Sequence, residues 1–255
     1  MLNLVKCCLC VFKLGALLWP VLAISADKHA LVIGNAAYPG QPLANTHNDA
    51  RDIGNALKTL GFELYGGGAQ LDLGLEELED LFYQFAADVP NGSVALLYFA
   101  GHGYYAQKDT WLIPIDANIT RERQIKRNAL ALGDVMEELR SVNTRGLNLL
   151  FLDACRNNPF GESYRGGTRG LVRPTRVPSG TFVGLAADQG QVASDGNGRN
   201  GLYTKHLLAA LRDGVGVEIE SLHKRVARAV FQESRHTDHP QRPVYQSNIL
   251  DKYCI

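Results

Sequence analysis

The sequence is short of the residues that would tie it to metals, nucleic acids or a disulfide framework. It has five cysteines in 255 residues, and Cys7, Cys8 and Cys10 fall within the first ten. The other two, Cys155 and Cys254, are far apart and suggest no disulfide scaffold. One of them is therefore expected to be kept for its reactivity, while the near-terminal Cys254 reads as structural or incidental. Basic and acidic residues balance at 26 each, so there is no long-range basic field for nucleic acid and no acidic tail. No Gly-x-Ser-x-Gly elbow and no HExxH pair is present. His236 and His239 flank Asp238 without a cysteine pair, so no metal is expected there. The glycine clusters GGG (66–68) and GNGRNG (196–201) lack the Lys-Ser/Thr of a phosphate loop and read as flexible loops. No cofactor is implied.

The apolar run LGALLWPVLAI (14–24) has 11 residues, too few to span a bilayer, and extending it backwards takes in Lys13. Lys6 and Lys13 precede or border it with no acid nearby, and Ala23, Ser25 and Ala26 close it. Basic flank, short apolar stretch and small-residue exit describe a secretory signal peptide cleaved near Ala26. The expected organisation is a signal peptide at 1–26 and one domain at 27–255, secreted or periplasmic, with no stable membrane insertion after cleavage. Loss of Lys6 and Lys13 leaves 24 basic against 26 acidic residues, a balance that singles out no partner.

From residue 27 onwards, apolar strands alternate with amphipathic helices. HALVIGN (29–35) reads as a buried strand, 48–60 as a helix stopped by Gly61, and 62–68 as a short strand running into glycines. A helix follows at 75–89. SVALLYFAGHG (93–103) has six apolar residues in a row, as a central parallel strand requires. A hairpin is expected at 104–116, a helix at 134–139 and a second fully buried strand at LNLLFLDAC (147–155). Residues 156–180 form a long Gly-, Pro- and Arg-rich loop, too long for a passive connector. A strand at 181–187, helices at 203–211 and 219–232, and a final strand at 243–249 complete the pattern. The expectation is an α/β three-layer sandwich with a mainly parallel sheet of about six strands and helices on both faces.

In such sheets, sites form at the carboxyl ends of the strands. One buried strand ends at Gly101-His102-Gly103 and another at Cys155, 53 residues later. If the strands are neighbours, the two residues meet over one sheet edge. A thiolate is the nucleophile, an imidazole supplies the base, and flanking glycines let backbone N–H groups approach a carbonyl oxygen.

YFAGHGYY (98–105) and LDACRNNP (152–159) resemble the His and Cys boxes of the caspase-like cysteine peptidases, the C14 type, and of their paracaspase and metacaspase branch in particular. ALVIGNAAY (30–38), NDARDIGNALKTLGF (48–62) and GQVASDG (190–196) support the resemblance, which covers residues 28–250. It implies that His102 is the general acid/base and Cys155 the nucleophile. The N–H groups of Gly103 and Cys155 would hold the oxyanion. Asp153-Ala154-Cys155-Arg156-Asn157 replaces the Gln-Ala-Cys-Arg-Gly of the aspartate-specific caspases, as in the Arg/Lys-specific branches. No acidic cluster occupies 156–180, so calcium activation is not expected. The resemblance leaves monomer and homodimer both open. Two rivals remain: a catalytically silent caspase-like binding module of the cell envelope, and a cysteine hydrolase with non-protein substrates.

Three acidic residues match the positions of the first substrate pocket: Asp49, Asp153 and Asp195. Each has an ordinary explanation, as a helix N-terminal carboxylate, a strand-end residue and a loop residue respectively. Asp153 resists that explanation best, because a carboxylate straight after Phe151-Leu152 is costly unless a cation or donors meet it. Together they predict protein or peptide substrates with arginine or lysine before the scissile bond, bound by charge-assisted hydrogen bonds. SYRGGTRGLVRPTR also offers Arg165 and Arg169 as self-cleavage positions, whereas Arg173 precedes a proline.

Overall fold

A computed structural model describes residues 27–154, 171–194, 196 and 198–255. In chain order these form β1 (Lys28–Gly34), α1 (Thr46–Thr59), β2 (Glu63–Leu64), β3 (Gln70–Leu71), α2 (Leu75–Asp88), β4 (Val94–Ala100), β5 (Gly103–Ala106), β6 (Asp109–Leu112), β7 (Leu130–Ala131), α3 (Leu132–Val142), β8 (Leu147–Asp153), β9 (Thr181–Leu185), α4 (Leu202–Asp213), α5 (Ile219–Ser234) and β10 (Val244–Ser247).

The main sheet runs β10-β9-β8-β4-β1-β2, with β3 following β2 along the same edge of β1. Every pairing is parallel except β10 against β9. β4 is buried at all seven positions, as a continuous apolar run predicts for a strand covered on both faces. From β1 the chain moves outward through α1 to β2, then returns from β3 through α2 to β4. Right-handed crossovers in opposite directions put their helices on opposite faces. Accordingly α1 packs with α4, and α4 with α5, on one side, while α2 packs with α3 on the other. This is the three-layer α/β sandwich expected from the sequence.

The details differ where glycine or short strands intervene. The segment 62–68 yields only two strand residues, because Gly66 and Gly67 turn left-handed at φ 68° and 79°. The two-residue β3 then raises the main sheet to seven strands. The hairpin is shorter than expected, and its β5 and β6 join β7 in a separate antiparallel sheet. Its turn places Gln107 and Lys108 at φ 52° and 67°, the left-handed pair that suits a two-residue hairpin loop. A second apolar cluster gathers Tyr38, Tyr104, Trp111, Ile113, Ile119 and Ile125 around this small sheet. α3 extends beyond the expected 134–139 at both ends.

Candidate active site

β4 and β8 are adjacent and parallel over their whole length, with Ala100 opposite Asp153. The register carries one residue further, since Gly101 N–H donates to the Asp153 carbonyl at 3.3 Å. His102 follows Ala100 by two positions, and Cys155 follows Asp153 by two. Cys155 itself lies outside the described residues. Its covalent neighbour Ala154 packs against Gly103 so closely that a Cβ on Gly103 would stand 2.3 Å from the Ala154 carbonyl oxygen. Only glycine fits there.

His102 is 3% exposed and is held by the loop that follows β1. Its backbone N–H donates to the Tyr38 hydroxyl at 2.9 Å, and that hydroxyl donates onward to the Ile113 carbonyl at 2.8 Å. The Tyr38 and His102 rings lie 4.3 Å apart, centroid to centroid. His102 Nε2 is 3.0 Å from the Gln41 carbonyl oxygen. A carbonyl can only accept, so Nε2 carries the proton and Nδ1 holds the lone pair of the neutral ring. The loop is anchored in turn by Asp72, whose carboxylate accepts from the N–H groups of Ala36 and Ala37 at 2.8 and 2.9 Å and meets His47 Nε2 at 2.8 Å. Burial raises the Asp72 pKa, but these hydrogen bonds outweigh it and hold the group below the usual range.

Asp49 and Asp153 come together on the α1/α4 side of the sheet, both fully buried. Asp49 sits in the first turn of α1, pressed against β1 because Gly34 has no Cβ: one there would stand 2.7 Å from Ala50 Cβ. Its Oδ1 accepts from the Gly201 N–H at 2.9 Å. Asp153 Oδ2 accepts from the Thr204 hydroxyl at 2.7 Å. Gly201 caps α4, so both carboxylates face the positive end of that helix. A Cβ on Gly201 would stand 3.2 Å from an oxygen of each. The same pair is felt at Tyr98, whose hydroxyl is pushed well above its ordinary value, first by burial and then by Asp49 and Asp153. A buried site with two carboxylates favours a cation. Asn200 and Leu202, on either side of Gly201, line a cavity of about 790 Å³ together with Arg199, Lys205, Glu233 and Asp238, and neither carboxylate reaches its wall.

Asp195, Arg165 and Arg169 lie outside the described residues. Tyr38, Gln41, Gly201 and Thr204 carry no recognisable sign in the sequence. Gly201 belongs to a stretch expected to be a flexible loop, yet here it packs against the acidic pair. Among the described residues no cluster of three or more His, Cys, Asp and Glu side chains could hold a metal ion.

A family model described as the caspase domain matches residues 27–254. The chain belongs to the caspase domain family. It is 29% identical over 189 residues to the human mucosa-associated lymphoid tissue lymphoma translocation protein 1, a match covering 72% of this chain and 22% of that protein. The mouse homolog is also 29% identical over 189 residues, which make up 72% of this chain and 21% of the relative. The chain thus spans about a fifth of the length of these curated relatives. Membership in this peptidase family supports a protease-type function and proteins as substrates.

Proposed function

We propose that this caspase domain is an exported cysteine endopeptidase that cuts after arginine or lysine. The observation that carries the specificity is the convergence of two buried carboxylates, Asp49 and Asp153, at the α4 N-terminus, on the strand end next to the His102 strand. A guanidinium or ammonium entering there gains charge-assisted hydrogen bonds, while an aspartate side chain meets like charge.

In this reading the Cys155 thiolate attacks the scissile carbonyl carbon. The oxygen takes up the negative charge and is held by the N–H groups of Gly103 and Cys155. Collapse breaks the C–N bond as the His102 imidazolium gives its proton to the leaving nitrogen, and a thioester remains. His102 then removes a proton from water, which attacks the thioester and restores the thiol. The Gln41 carbonyl holds Nε2–H throughout, so proton traffic runs through Nδ1.

Short fluorogenic peptides ending in Arg, Lys or Asp test this directly. Arg and Lys peptides are expected to be cut and Asp peptides left intact. Cys155→Ala and His102→Ala should abolish turnover. Asp153→Asn should lower kcat/KM for Arg peptides by roughly 100-fold while a small alkylating agent still labels Cys155. Efficient cleavage of Asp peptides would refute the acidic pocket. Labelling without any turnover would favour the silent binding module.

Export is supported by the basic flank, short apolar run and small-residue exit of residues 1–26. N-terminal sequencing of the extracytoplasmic protein should then begin at Asp27. Self-cleavage after Arg165 or Arg169 follows from the same specificity. It should appear as new fragment masses in the wild type that are absent from Cys155→Ala.

A further inference from the structure

His102 borders a second recess, on the side away from the acidic pair. This cavity of about 290 Å³ is bounded by Tyr38, Pro39, His102 and the segment 113–118. It lies toward α2, since the Asp116 carboxylate accepts from the Leu75 N–H at 2.9 Å where that helix begins. Asp49 and Asp153 belong to the opposite, α1/α4 side. The inner wall is apolar, formed by Tyr38, Ile113, Pro114 and Ala117, while Asp116 and Asn118 stand exposed at the rim. The wall is also fixed in place. Ile113 N–H donates to the His102 carbonyl and Ile115 N–H to the Leu73 carbonyl, both at 3.1 Å, and Ala117 N–H donates to the Pro114 carbonyl at 3.3 Å.

We propose that this cavity binds the side chain of the residue immediately after the scissile bond, and that it selects an aliphatic or phenyl group there. The inference rests on the peptidase reading above. In that reading the residue before the bond puts its basic side chain between Asp49 and Asp153. The leaving nitrogen must come within proton-transfer reach of His102. The residue that carries this nitrogen therefore continues past the imidazole, away from the acidic pair, and meets the cavity. A void of about 150 Å³ already accepts benzene, so this one has room for a leucine or phenylalanine side chain. Asp116 Oδ1 is engaged with α2, so at the rim the carboxylate acts mainly by repelling acidic residues.

The test uses the purified protein and one Arg-ended peptide followed by Gly, Ala, Leu, Phe or Glu, with the matching arginine methyl ester, which has no following residue. Leu and Phe should exceed Gly in kcat/KM by about tenfold, and Glu should fall below Gly. Ala117→Trp, which fills the cavity from its wall, should bring the Leu-to-Gly ratio close to one. Equal rates for Leu and Gly in the wild type overturn the proposal, as does an unchanged ratio in Ala117→Trp. Ester hydrolysis with a flat peptide series rejects the cavity assignment alone. Failure to hydrolyse either the ester or any peptide rejects the peptidase reading and the assignment with it.

Discussion

The imidazole of His102 takes its orientation from three groups on the loop after β1: the Tyr38 ring, the Tyr38 hydroxyl and the Gln41 carbonyl. The Tyr38 hydroxyl also satisfies the Ile113 carbonyl, so it joins the His102 backbone to the wall of the neighbouring cavity. Gly101 makes room for it, since a Cβ there would stand 2.6 Å from the Tyr38 oxygen. Tyr38→Phe keeps the ring but removes the partner of two buried backbone groups, at about 1–3 kcal/mol each. We expect the variant to fold with a lower melting temperature. Its kcat should drop roughly 10- to 100-fold with KM little changed, because the general base is misplaced while the acidic pocket is untouched. The limb of the pH–rate profile that reports His102 should also move. Wild-type kcat and an unmoved profile would show that Tyr38 is only a packing residue. Nothing local in Ala36-Ala37-Tyr38 announces this role, because the partners are 64 and 75 residues away in sequence.

At the scale of elements, the register of β4 against β8 brings the strands that lead into the two sequence boxes to one edge, and the start of α4 completes the acidic site. Sequence alone leaves the adjacency of those two strands undecided, and the sheet order supplies it. The two long apolar runs belong together because the middle of a parallel sheet is where both faces of a strand are covered. The cost of burying Asp153 is met by a donor, Thr204, from a helix that begins 49 residues after it. Gly201, the cap of α4, lies against both carboxylates. Gly201→Ala would place a methyl group 3.2 Å from both carboxylates, tighter than ordinary contact. We expect at least about a tenfold loss of kcat/KM on Arg peptides, carried mostly in KM, with little change in Cys155 alkylation. An unchanged KM would mean that the cation does not enter beside Gly201. Local pattern could not single out this glycine from Gly196 and Gly198 in the same run, since what distinguishes it is a helix start and two distant carboxylates.

Across the whole molecule, the layer formed by α1, α4 and α5 holds a buried histidine whose titration bears on stability. His223 of α5 is fully buried, with Nε2 at 3.1 Å from the Tyr203 hydroxyl and Phe182 and Tyr245 around its ring. Burial pushes its pKa down from 6.5 to about 3. The unfolded chain therefore binds a proton at this position as pH falls through about 6.5, while the folded chain does not. Stability from this group is fully present above about pH 6.5 and is lost as pH falls toward 3, by about 1.4 kcal/mol per unit. Asp52, held low first by Arg199, and Glu233, held low first by Lys205, lose their contributions nearer the carboxylate range. The window from pH 6.5 to 5 lies above those carboxylates, and comparison with a variant that lacks His223 separates this group from the other histidines. Between pH 7 and pH 5 the urea midpoint of the wild type should fall further than that of His223→Phe, because the variant lacks this proton uptake. Parallel pH dependences would contradict a neutral buried His223.

Residues 27–255 carry the order and type of the main elements in their own periodicity. Apolar runs of strand length alternate with helices whose apolar faces recur every three to four residues. That alternation leaves few topologies besides a parallel sheet covered on both sides. The pair proposed as catalytic was singled out for the same reason, since His102 and Cys155 each come straight after a long apolar run of strand length. The short pieces were not. β2, β3 and β7 have two residues each, too few for any period to register, and pairing with longer strands defines them. Nor could the sequence say that Asp49 meets Asp153, that Tyr38 and Gln41 orient His102, or that a cavity opens beyond it. Those contacts join segments tens of residues apart. They exist because β1, β4 and β8 lie side by side in one register and α1 and α4 close over the same edge, a proximity that arises only when the separate elements bury their apolar faces against one another.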